Sequence, residues 1–170
     1  MKLYLKMNQE EENLYNEIIS KYNFNEGQKN QIKLGVNQGL NVSLYAKPEF
    51  NEFQMNELRL SLEQGIDILN YSCPEFSDLK MREIRQGLKD DLNMNLYINP
   101  DFTLGQINQI RLGLKNNIDV SLYANFEFNA LQMEQIRLGL VSGLNVESYL
   151  NPNINFQEMN KIRKNLEGNK

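Results

Sequence analysis

FNEFQMNELRLSLEQGIDILNYSCPE, residues 50–75, decides the fold. Asn51 is a helix N-cap, and Gln54 three residues later completes a capping box, in which each side chain takes up a backbone N–H that the first turn leaves unpaired. Phe50 before the cap and Met55 in the next turn form the hydrophobic staple that sets how the chain enters the helix. Glu49 sits at the positive end of the helix dipole. Met55, Leu58 and Leu62 then recur at i, i+3 and i+7, one apolar stripe. Gly65 accepts the left-handed conformation that ends a helix, and Ile66 supplies the apolar contact of a Schellman ending. Asp67 caps a second, short helix, and Pro74 marks its exit. The stretch predicts a helix of about 13 residues, a tight turn and a short helix of one or two turns.

The same grammar recurs on both sides. Phe24, Phe50, Phe76, Phe102 and Phe128 are spaced by 26 residues without an insertion, and Tyr45, Tyr71, Tyr97, Tyr123 and Tyr149 keep the same period. Arg59, Arg85, Arg111, Arg137 and Arg163 keep it too, with Lys33 in the first copy. Chance does not hold three unrelated residue types in phase over such a length. Capping boxes repeat as Asn25/Gln28, Thr103/Gln106, Asn129/Gln132 and Asn155/Glu158, while Ser77 keeps the cap and Lys80 breaks the box. The helix ends on Gly39, Gly65, Asp91, Asn117 or Gly143, the residue types that tolerate positive φ best. Asn41, Asp67, Asn93, Asp119 and Asn145 cap the short second helix, and Pro48, Pro74, Pro100 and Pro152 end it, with Phe126 once in place of proline.

These readings predict an all-α fold, an α-solenoid of 26-residue units, each a long helix plus a short one. The units are 24–49, 50–75, 76–101, 102–127 and 128–153, between an N-terminal cap at 1–23 and a C-terminal half-unit at 154–170. In the first cap, Asn8 and Glu11 form a capping box, and Leu14, Ile18, Ile19 and Tyr22 share a face. In the last, Lys161 and Lys164 supply the polar outer side a cap needs. Neighbouring helices about 8–10 Å apart would make a rod about 50 Å long. A stub at 2–6 is the one place a strand would fit.

The unit resembles a repeat of proteins from low-GC Gram-positive bacteria, their phages, plasmids and conjugative elements, of the form YA-x-P-x-F-x-x-x-Q-M-x-x-I-R-x-G-L-x-x-G-L-D-V-S. The best copy is 123–146, YANFEFNALQMEQIRLGLVSGLNV, and the resemblance covers roughly 24–167. Departures are Phe126 for proline, Ser61 and Asn165 for the helix glycine, and Lys29 for methionine. The resemblance implies a mobile-element setting, in which small proteins are often inhibitors of host defence systems, CRISPR–Cas included.

Composition narrows the function. A net charge of −4 argues against general nucleic-acid binding, which wants a strongly basic face. No apolar run reaches membrane length, and the N-terminal residues lack a secretory h-region, so a cytoplasmic protein without membrane contact is expected. The lone Cys73 forms no internal disulfide and occupies a variable loop position, as a passive thiol. The chain has no histidine, which removes the usual Ser/His, Cys/His and zinc arrangements. Asp90 and Asp91 stand where other units have turn residues, and no phosphate-binding glycine loop occurs. No cofactor, metal or catalytic residue is expected.

What is left is binding. The variable positions Glu52, Phe53, Glu57, Arg82, Glu83, Gln109, Glu134 and Gln135 are the candidates for contact with a protein partner. The ladder of Lys33, Arg59, Arg85, Arg111, Arg137 and Arg163 has two readings. It could meet a phosphate backbone or an acidic partner. Alternatively it ties neighbouring units through Glu49, Glu75, Asp101 and Glu127, or through loop carbonyls, and the negative net charge favours this. In that case Arg111→Ala lowers stability by about 1–3 kcal/mol, against about 0.5 for an exposed arginine. The tyrosines are expected in the core, and the mid-helix Gly35, Gly87, Gly113 and Gly139 are expected where a neighbour approaches closely.

Overall fold

The computed structural model describes residues 6–169, so the stub at 2–6 lies, but for Lys6, outside the described residues. Those residues are helical, with no strand among them, and no helix is long and apolar enough to cross a membrane. The α-helices are α1 (Gln9–Lys21), α2 (Glu26–Asn37), α3 (Glu52–Glu63), α4 (Asp78–Lys89), α5 (Leu104–Lys115), α6 (Ala130–Val141) and α7 (Phe156–Gly168). From α2 onward each begins 26 residues after the last. The chain forms two compact units, 1–85 and 86–170. In the first, α1 packs on α2 and α2 on α3; in the second, α5 packs on α6 and α6 on α7.

The helix starts are as the local chemistry dictates. Asn8, Asn25, Asn51, Thr103 and Asn129 form complete capping boxes. Asn155 accepts from the Glu158 N–H at 2.9 Å, but the expected box is only half made, since the Glu158 carboxylate turns to Lys161 at 3.1 Å. Ser77 Oγ accepts from the Lys80 N–H at 3.3 Å.

The helix ends are Schellman motifs. The Leu144 N–H donates to the Gly139 carbonyl and the Gly143 N–H to Leu140, both at 2.9 Å. The same pair of bonds closes α2 through α5. Gly39, Gly65 and Gly143 have φ of 67°, 72° and 65°, and Asp91 and Asn117 have 56° and 55°. Gly143→Val should therefore cost about 1–2 kcal/mol more than Ser142→Val, since a β-branched residue resists this conformation. Equal thermal midpoints for the two variants would contradict the assignment.

The second helix of each unit takes the shorter of the expected lengths. It is a single 3-10 turn at Val42–Leu44, Met94–Tyr97, Val120–Leu122 and Glu147–Tyr149, and an unclassified turn around Leu69–Tyr71. Asp119 and Asn145 bond the N–H two residues on, at 3.0 Å, which closes a tight turn rather than opening an α-helix.

Phenylalanines and tyrosines fill the space between helices and loops. Phe24, Phe50, Phe76, Phe102 and Phe128 are buried, as are Tyr45, Tyr71, Tyr123 and Tyr149. Each buried phenylalanine contributes about 1.5–3 kcal/mol. The Tyr123 hydroxyl donates to the Gln109 carbonyl at 3.1 Å, and Tyr45 does the same to Gln31 at 2.9 Å. A Cβ at Gly113 would overlap the Tyr123 hydroxyl, which is why this mid-helix position is glycine. In α3 the position is Ser61, whose hydroxyl donates to the Glu57 carbonyl at 2.8 Å, the bond a tyrosine makes elsewhere. The Tyr71 hydroxyl lies beside it, and burial pushes its pKa up to about 12. Tyr97 departs from the series and is only half-buried. Met94, bulkier than the Val42, Val120 and Val146 of three other units, lies over Gly87 in its place.

Candidate interaction surface

The arginine ladder turns inward, onto the preceding helix. Arg59 Nε donates to Gln31 Oε1 at 3.0 Å, Arg137 Nε to Gln109 Oε1 at 2.8 Å, and Arg163 Nε to Gln135 Oε1 at 3.1 Å. Arg85 donates Nε and Nη2 to Glu57 Oε2 at 3.1 and 2.8 Å. The partner is 28 residues earlier each time. Side chains tilt toward their helix N-terminus. Neighbouring helices run parallel, as the pairs Gly105/Ala130 and Gln109/Arg137 require. A long arginine therefore reaches half a turn up its neighbour. This corrects the expected partners: for these four arginines a Gln or Glu side chain of the preceding helix accepts, not Glu49, Glu75, Asp101, Glu127 or a loop carbonyl. Arg59 is 8 % exposed and also donates to Gln38, Glu63 and Asn56. Lys33, the first member of the series, is exposed.

The proposed partner-facing residues divide accordingly. Glu57 is 1 % exposed, with Oε1 accepting from Arg82 Nε at 3.1 Å and Oε2 from Arg85. Gln135 is buried and Gln109 half-buried, each holding an arginine. These three face the neighbouring helix; their variability reflects two ways of receiving a guanidinium, an amide or a carboxylate. Glu52 is half-buried over Gly27 and accepts from Asn25 at 3.4 Å. Glu83 and Glu134 are half-buried, and Arg82 and Phe53 are exposed.

A second tie lay hidden in the capping boxes. Gln132 Oε1 accepts from the Asn129 N–H, as a box requires, while Nε2 donates to the carbonyls of Pro152 and Ile154 at 2.8 and 2.7 Å. Gln28 and Gln54 bond the next loop likewise, and Gln106 reaches the Phe128 carbonyl. One buried amide thus caps its own helix and holds the loop of the following unit.

Outside this network, apolar side chains stand in solvent at the helix N-termini. Phe53, Leu79 and Leu131 occupy the second residue of α3, α4 and α6 and are 61 %, 45 % and 47 % exposed. In the second unit the N-termini of α5, α6 and α7 border a groove of about 650 Å³. Phe126 stands at its edge, stacked on the buried Phe102 with ring centroids 4.4 Å apart. The period had marked Phe126 only as a lost proline.

Other chemistry-bearing residues have local roles. Asp91 is a helix-ending residue, and Asp90 faces Lys115 at 3.5 Å. Burial pushes the Cys73 thiol up, away from the reactive thiolate. Among the described residues no group of three or more Cys, Asp or Glu is placed to hold a metal ion. No family model, curated protein or solved structure matches the chain.

Proposed function

We propose that this chain is a non-catalytic protein-binding module whose 26-residue units stack as a solenoid. The observation that carries the reading is the direction of the ladder. Arg59, Arg85, Arg137 and Arg163 spend their guanidinium N–H groups on neighbouring helices, and the side chains left in solvent include Phe53, Leu79, Phe126 and Leu131. Apolar groups in solvent, Leu69 and Leu96 of the loops among them, fit a protein surface better than a phosphate backbone. The likeness of the unit to a mobile-element repeat supports a partner among host defence proteins, CRISPR–Cas components included. The competing reading is a nucleic-acid-binding solenoid that uses the arginines.

The test pairs two measurements on Arg111→Ala. Stability should fall by about 1–3 kcal/mol in urea, and affinity for a protein captured from host lysate should fall only as far as the folded fraction does. A variant of unchanged stability that loses its partner would make the ladder the binding site. Binding of single- or double-stranded DNA or RNA that weakens steeply with salt would favour the competing reading.

A further inference from the structure

The groove of the second unit departs from the repeat in ways that describe its ligand. Phe126 replaces the proline of four other units and is 54 % exposed, its ring tilted by 33° against that of Phe102. Ala130 opens α6, as Leu104 and Phe156 open α5 and α7, where α2, α3 and α4 open on Glu26, Glu52 and Asp78, so the three helices at the groove begin on an apolar residue in place of a carboxylate. Gly105 lets α6 approach: a Cβ there would lie 2.8 Å from that of Ala130. Asp101 and Glu127, both exposed, border the groove, and no lysine or arginine lines it. Among the described residues neither acid forms an ion pair.

Helix N-termini attract anions, but each of these three already carries a capping acceptor. Thr103, Asn129 and Asn155 accept from the N–H groups of Gln106, Leu131, Gln132 and Glu158. The charge left for a ligand is that of the two carboxylates.

Resting on the protein-binding reading, we propose that this groove docks an arginine-bearing segment of the partner. The guanidinium lies against Asp101 and Glu127 and over the open face of Phe126, and its methylene stem crosses Ala130. Arginine suits the site better than lysine because a planar fork bonds carboxylates and stacks on a ring at once, whereas an ammonium is a hydrated point charge.

The test uses the whole chain, 15N-labelled, and three acetylated, amidated heptapeptides: Gly-Ser-Arg-Leu-Arg-Ser-Gly and the same with lysine or glutamate for arginine. The arginine peptide should shift the signals of Asp101, Phe126 and Glu127 with Kd on the order of 1 mM. The lysine peptide should bind more weakly and the glutamate peptide not at all. Phe126→Pro writes the repeat's own residue into the loop and should weaken binding about tenfold or more, as should Asp101→Asn with Glu127→Gln; Phe53→Ser at the start of α3 should not. Equal binding by Phe126→Pro, shifts caused by the glutamate peptide, or no shifts at about 10 mM peptide would overturn the proposal. Peptide and partner are read separately. A captured protein that binds Phe126→Pro as well as wild type overturns the groove and leaves the broader reading intact. Arginine-peptide shifts at these residues support the groove even where no protein is captured.

Discussion

Glu57→Ala should lose about 3–5 kcal/mol of stability, and Glu57→Gln no more than about 1 kcal/mol. The Glu57 side chain is 2 % exposed and that of Arg85, which it holds by two bonds, 12 %. Removing the carboxylate leaves a guanidinium between two helices with neither water nor a counter-charge, the costly way to break a buried pair. Glutamine is a different matter, because the molecule already uses it. Gln31, Gln109 and Gln135 receive Arg59, Arg137 and Arg163 in the same geometry. Its amide group would turn a donor toward Arg82, but the Arg82 side chain is 47 % exposed and can swing to solvent. A neutral partner also avoids desolvating a carboxylate, so part of the lost attraction is offset. Urea unfolding of the three proteins decides it. A Glu57→Gln variant as unstable as Glu57→Ala would mean that the charge, not the acceptor, holds α3 to α4.

Gln132→Glu should be nearly as damaging as Gln132→Ala, each costing about 2–4 kcal/mol. For a simple capping box the prediction would be the reverse, since glutamate and glutamine both serve at that position. The difference lies in the amide nitrogen. Gln132 is 4 % exposed, and its Nε2 is the donor to Pro152 and Ile154. Glutamate would keep the bond from Asn129 but set a second oxygen against two carbonyl oxygens in a site closed to water. Glu158 is the internal control. It stands at the same position of α7, exposed, and its carboxylate donates to no loop, so Glu158→Gln should change stability by less than about 0.5 kcal/mol. Thermal and urea midpoints of the variants test this. A Gln132→Glu protein as stable as wild type would show that the amide bonds carry no weight.

Glu158 also shows where sequence reading stops. In Asn129/Gln132 and Asn155/Glu158 the same capping signal was legible, and both helices begin where it said. That Gln132 needs its amide and Glu158 does not was invisible, because the reason lies 20 and 22 residues further on.

By itself the sequence determined what closes within a few residues. The N-caps, the helix lengths and the five left-handed endings, Asp91 and Asn117 included, depend on bonds spanning two to five positions. Such bonds form wherever the right residue types meet, whatever packs outside. The tertiary structure decided what depends on the neighbouring helix. It chose Gln31, Glu57, Gln109 and Gln135 as the arginine partners, through the tilt of side chains between parallel helices. It drew Glu57 and Gln135 inside and left Phe126 at the edge of a groove. Periodicity records that a position varies; whether the varied side chain meets water or another helix depends on the stacking geometry, which no local pattern encodes.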